Sequence, residues 1–88
     1  MSLEQIHSFV AVAEEGALIR AAARLRISQP PLTRRIRTLE DELGTPLFTR
    51  TPRGMTLLPS GERFLDHARD ILATVDRAVD AARSNGKF

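Results

Sequence analysis

The 88-residue sequence has no cysteine, tryptophan or tyrosine, a single lysine, and no long apolar run. Without cysteine there is neither a disulfide framework nor a thiolate metal site. No stretch approaches the roughly 18 consecutive apolar residues of a membrane-spanning helix, and no basic-then-apolar leader pattern opens the chain. The expected location is therefore the bacterial cytoplasm. A glycine-rich phosphate loop is also missing. His7 and His67 stand far apart with no ligand spacing around them, and Ser60 has no partner histidine at a recognisable spacing. These absences argue against an enzyme, and no metal or cofactor is expected.

What is present is strong periodicity. Hydrophobic residues make up 42% of the chain, enough for one small ordered domain near the lower size limit for a self-sufficient core. The net charge is only +2, but residues 20–53 hold eight arginines against three acids, while residues 1–19 hold three acids and no lysine or arginine. Arginine supplies a planar fork suited to phosphate and to guanine edges. A solvated charged face explains such a run equally well, so placement has to decide.

Leu3, Ile6, Val10 and Ala13 mark one face of a first helix over residues 2–15, which Gly16 ends. Residues 18–25 form a short alanine-rich second helix, with Ala21 and Ala22 allowing close approach of another backbone. A tight connection, Arg26-Ile27-Ser28, leads to a third helix whose apolar face is Leu32, Ile36, Leu39 and Leu43, ended by Gly44. Residues 46–58 then read as a small two-stranded hairpin with turn chemistry over Arg50-Thr51-Pro52-Arg53-Gly54. From Pro59, a seam of Leu65, Ala68, Leu72, Val75 and Val79 runs along a long final helix. Its first turns are expected to pack on the domain, and its later half, from about Leu72, to need a partner chain. The division is a domain over 1–58, a linker or dimerisation helix over 59–83, and a tail over 84–88.

The third helix opens with Ser28-Gln29-Pro30-Pro31. Proline lacks an N–H, so it loses nothing in a helix's first turn, where that group has no partner. Because a residue before proline is pushed away from α geometry, the regular helix is expected to start near Pro31. The usual targets of a Ser28 cap, the N–H groups of residues 30 and 31, do not exist, which leaves Ser28 and Gln29 for an outside partner. On a helical wheel Arg34 points opposite the apolar face, Pro30, Arg37 and Thr38 lie near that outward axis, and Thr33 is on the flank.

Helix, short helix, tight turn, helix, hairpin is the order of a mainly α winged helix-turn-helix, in which the second helix of the pair enters the major groove by its N-terminal end. On that reading Gln29, Pro30, Thr33 and Arg34 meet base edges, with Arg34 suited to guanine and Gln29 to adenine. Ser28 and Arg37 are phosphate candidates, and Arg53 at the hairpin tip suits a minor groove. Arg50 either binds phosphate or pairs with Glu40 or Glu42. A small helical module that binds an acidic protein would explain the charge and the seam, but not the residues at the helix mouth.

The run A-A-x-x-L-x-x-S-Q-P-P-L-T-R-x-I-x-x-L-E-x-x-L-G-x-x-L-F-x-R, Ala21 to Arg50, resembles the LysR-type transcriptional regulators. The resemblance implies a homodimeric winged helix-turn-helix that binds a pseudo-palindromic double-stranded operator, with linker helices paired antiparallel. It implies that Gln29, Pro30, Thr33 and Arg34 read the major groove and that Arg53 reaches the minor groove. It also implies a longer regulator whose C-terminal domain takes a small-molecule effector and supports tetramers. One departure stands out. Where the family often has Ser or Thr near the start of the second helix, this sequence has Ala17, Leu18 and Ile19. A phosphate contact there is expected from backbone N–H groups or from Arg20.

Overall fold

In the computed structural model, which describes residues 1–84, the elements are α1 (Leu3–Glu15), α2 (Leu18–Leu25), α3 (Gln29–Leu43), β1 (Phe48–Thr51), β2 (Gly54–Leu57) and α4 (Pro59–Ser84). The tail expected over 84–88 is corrected at its first residue, because Ser84 is helical; residues 85–88 lie outside the described residues. No helix among the described residues is long and apolar enough to cross a membrane.

Local chemistry sets the boundaries. Ser2 and Gln5 form a reciprocal capping box at the start of α1: Ser2 Oγ accepts from the Gln5 N–H at 3.1 Å and Gln5 Oε1 accepts from the Ser2 N–H at 2.8 Å. Gly16 and Gly44 close α1 and α3 in left-handed geometry, with φ of 72° and 71°. Arg26 does the same for α2 with φ 59°, and its N–H and that of Ile27 close onto the last carbonyls of α2. The helix-turn-helix connection is therefore a left-handed cap on a non-glycine residue.

One expectation about α3 is corrected. The helix starts at Gln29, with Ser28 as its cap residue, and includes both prolines. Gln29 and Pro30, each followed by proline, take helical geometry against that steric preference, while the prolines themselves cost the helix no hydrogen bond because its first turn needs no N–H donors. Ser28 makes no side-chain cap bond, in keeping with the missing N–H targets.

α1 is the central element. It packs against α2, α3 and α4, with Phe9 fully buried. The Phe9 ring lies 5.3 Å from that of Phe48 and 5.0 Å, edge on, from that of Phe64, which brings the hairpin and the last helix onto one core. Leu32, Ile36 and Leu39 supply the α3 face of that core, and Ala21 and Ala22 the α2 face. Leu65 and Ala68, counted in the dimer seam, lie in the first turns of α4 and are 9% and 0% exposed inside the chain's own core. Leu72 still packs against the core in part, and beyond it Val79 stands 40% exposed.

The hairpin strands pair antiparallel, Phe48 with Leu57 through Thr51 with Gly54, around a Pro52-Arg53 turn. Arg50 and Thr51 thus belong to β1 rather than to the turn. Glu40 Oε2 accepts the N–H groups of Leu47 at 2.6 Å and Phe48 at 3.3 Å, so the end of α3 holds the entry to the hairpin. The Met55 N–H donates to the Gly16 carbonyl at 3.0 Å and ties β2 to the α1–α2 connection.

A charged node joins three helices. Glu14 accepts from Arg24 of α2 at 2.8 Å and from Arg69 of α4 at 3.1 Å. The Arg24 guanidinium, with Arg69 adding to it against partial burial, holds the Glu14 carboxyl below its ordinary value of 4.5. A carboxyl depressed in the folded state contributes stability above its unfolded value, and that contribution is lost as pH falls through the folded value. The melting temperature of the wild type is therefore expected to fall more steeply than that of Glu14→Gln as pH drops below about 4.5. Parallel pH–melting curves check this; equal steepness would remove the node from the stability account.

Candidate nucleic-acid interface

The front of α3 is a consequence of its buried face. With Leu32, Ile36 and Leu39 turned inward, helical spacing leaves Gln29, Pro30, Arg34, Arg37 and Thr38 exposed, and Thr33 half-buried on the flank. Arg34 and Arg37 form no ion pair among the described residues. Arg35, by contrast, is drawn back to α1, where it meets Glu4 at 3.4 Å and supplies the buried Ser8 hydroxyl with a partner at 3.4 Å. Neighbouring arginines on one helix thus have different tasks. Arg35 fastens α3 to α1, and Arg34 faces outward.

The hairpin stands beside this face. Thr51 Oγ1 donates to the Gly54 carbonyl at 3.2 Å and accepts from the Arg53 N–H at 3.2 Å, so the tip is closed by one hydroxyl while the Arg53 side chain stays exposed. Of the alternatives for Arg50, pairing with Glu40 or Glu42 does not occur. Glu40 is bonded to the backbone of Leu47 and Phe48, and Glu42 to the N-terminal ammonium at 2.7 Å. Arg50 and Arg37 instead line one cleft of about 300 Å³ with Thr33 and Glu40, between α3 and the hairpin. The Glu40 carboxylate is engaged by the backbone of Leu47 and Phe48, and two guanidiniums without a carboxylate partner on one open cleft suit a phosphodiester.

Arg20 is exposed but directed in part toward its own chain. Its guanidinium donates to the Glu15 carbonyl at 2.6 and 3.2 Å and caps the end of α1. The first turn of α2 has no side-chain cap either, since Ala17 is its cap residue. Ile19 was missed as a surface residue. It is 65% exposed, and a signal was present: Leu18, Ala21, Ala22 and Leu25 form the inward stripe of α2, and Ile19 lies off it. Among the described residues no group of three or more His, Cys, Asp or Glu is placed to hold a metal ion.

The model of bacterial regulatory helix-turn-helix proteins of the lysR family matches residues 3–62. This chain belongs to the LysR family. Among its LysR relatives, the transcriptional regulator TfdT of Cupriavidus pinatubonensis is 53% identical over 78 residues, which is 89% of this chain and 34% of TfdT. The chain thus spans about a third of that relative's length. The crystal structure of the CbnR DBD–DNA complex superposes with a TM-score of 0.92 at 42% identity, covering 99% of this chain and 100% of that one. The BenM DBD in complex with catB site 1 DNA superposes with a TM-score of 0.95 at 39% identity, covering 100% and 99%. The LysR winged helix-turn-helix followed by a long helix is therefore the fold of this chain.

Proposed function

We propose that this chain is the operator-recognition part of a bacterial LysR-type transcriptional regulator, binding double-stranded DNA sequence-specifically as a homodimer in the cytoplasm. The observation that carries the reading is the front of α3, where Gln29, Pro30 and the unpaired Arg34 are exposed opposite the core and flanked by the hairpin tip with Arg53. α3 enters the major groove by its N-terminal turn. Arg34 bonds guanine O6 and N7, Gln29 reads adenine, and Pro30 and the Thr33 methyl pack on thymine methyl groups. Arg53 enters the adjacent minor groove, while Ser28, Arg37 and Arg50 hold phosphates. The exposed front of the helix also favours an anion through the partial charge of its N-terminus.

The second chain pairs along α4. That helix has 26 residues, about 39 Å, and its apolar seam continues through Leu72, Val75 and Val79 past the point where the chain's own core ends. Two-fold pairing there sets two recognition helices on half-sites about one DNA turn apart. A small-molecule effector and tetramer formation belong, on this reading, to the longer remainder of such a regulator.

Selection from random-sequence duplex DNA at moderate salt tests the reading. Enrichment of a two-fold symmetric motif is the expected result. Retention without any enrichment would reduce the chain to a generic phosphate binder, and no retention even at low salt would refute DNA binding. The seam has its own test. Val79→Asp places a charge at an exposed position of α4 outside the chain's own core, so the fold is expected to persist while the dimer dissociates at least tenfold more readily. Sedimentation at matched concentrations checks this, and an unchanged dimer would exclude Val79 from the interface.

A further inference from the structure

We infer that Ile19 makes an apolar contact with the deoxyribose face of the DNA strand that crosses between the recognition helix and the wing. The inference rests on the DNA-binding reading above and assigns that interface a residue of a different chemistry. Ile19 is 65% exposed, more than Leu3 at 46% or Val79 at 40%. It lines an open cleft of about 220 Å³ together with Leu18 of α2, Gln29 of α3, and Thr51, Pro52 and Met55 of the wing. Gln29 borders the major-groove side of this cleft, and Pro52 adjoins Arg53 on the minor-groove side. Adjacent major and minor grooves are separated by one sugar–phosphate strand, so a duplex engaged on both sides lays that strand across the cleft.

The walls of the cleft match the two parts of such a strand. Arg50 lines it and has no carboxylate partner among the described residues, which suits a phosphate. On the α2 side the cleft is lined by Ala17, Leu18 and Ile19, which are apolar and carry no hydroxyl; Arg20, bonded to the Glu15 carbonyl, does not line it. What that wall presents is the branched side chain of Ile19, whose complement in DNA is the C–H surface of the sugar. Removing both surfaces from water favours the contact without reference to base sequence.

The test measures Kd for a selected operator and for a scrambled duplex across a salt series, with Ile19→Val, Ile19→Ala and Arg50→Ala beside the wild type. Affinity is expected to fall from Ile to Val to Ala, reaching about five- to tenfold at alanine. The loss should be the same factor on both duplexes and leave the salt slope unchanged, because no counterion is involved. Arg50→Ala should instead flatten the slope. Wild-type affinity in Ile19→Ala would overturn the contact. A loss confined to the operator and reproduced by thymine-to-uracil replacement would overturn the sugar in favour of a base methyl group. A wild type that binds neither duplex would signal failure of the DNA-binding reading itself. Circular dichroism of the variants confirms that each is folded.

Discussion

Arg34→Ala is expected to lose roughly 10- to 100-fold of its preference for the cognate half-site over a site altered at one guanine, while melting within a degree or two of the wild type. The guanidinium points away from the buried Leu32, Ile36 and Leu39 and forms no ion pair among the described residues, so removing it leaves no unpaired group in the protein. What is lost is a bidentate hydrogen bond to guanine, worth about 1–3 kcal/mol of discrimination. Arg37→Ala supplies the contrast. A phosphate contact carries no sequence information, so its loss should weaken binding on every duplex and reduce the log–log salt slope by about one. Competition binding with singly substituted sites separates the two. If Arg34→Ala keeps its site preference, the assignment of Arg34 to a base edge is wrong.

Arg34 was legible in the sequence because its environment is decided by its own helix. The spacing of Leu32, Ile36 and Leu39 fixes which side of α3 is buried, and everything opposite follows. The same logic delivered α1, α2 and the glycine stops at Gly16 and Gly44. Contacts between elements were not legible. Nothing in the sequence marks the partners of Arg20 and Arg35, yet one caps α1 and the other satisfies the buried Ser8. Only the packing of α2 and α3 on α1 separates them.

The seam of α4 illustrates the same limit. From Leu65 to Val79 the apolar repeat is continuous, so the break expected near Leu72 rests on the size of the domain and not on the repeat itself. The stopping point is set by the elements α4 packs on, and α1, the main one, is only about 20 Å long against about 39 Å for α4. Leu65 and Ala68 fall under that cover; Val79 does not. The start of α3 at Gln29, ahead of the Pro31 that the local preference before proline points to, has a related cause: a preference set by one neighbour yields to the packing of the whole helix.

Gly54→Ala is expected to destabilise the fold by on the order of 3 kcal/mol, lowering the melting temperature by roughly 12–24 °C in a domain of this size. Two costs combine. Gly54 has φ of +131°, a geometry that L side chains rarely adopt. An added Cβ would also collide with the Gly16 carbonyl oxygen. Relief requires β2 to back away from the α1–α2 connection, which stretches the 3.0 Å bond from the Met55 N–H to that same carbonyl. The wing then loses its anchor on the helices, and Arg53 loses its fixed position relative to α3. Gly44→Ala isolates the conformational part. Its φ is +71°, and nothing lies within 4 Å of the added Cβ, so only about 1 kcal/mol is expected. Thermal melts of the two variants measure the difference. A Gly54→Ala protein as stable as Gly44→Ala would mean that the wing moves freely against the α1–α2 connection, and the fixed placement of Arg53 beside the recognition helix would have to be abandoned.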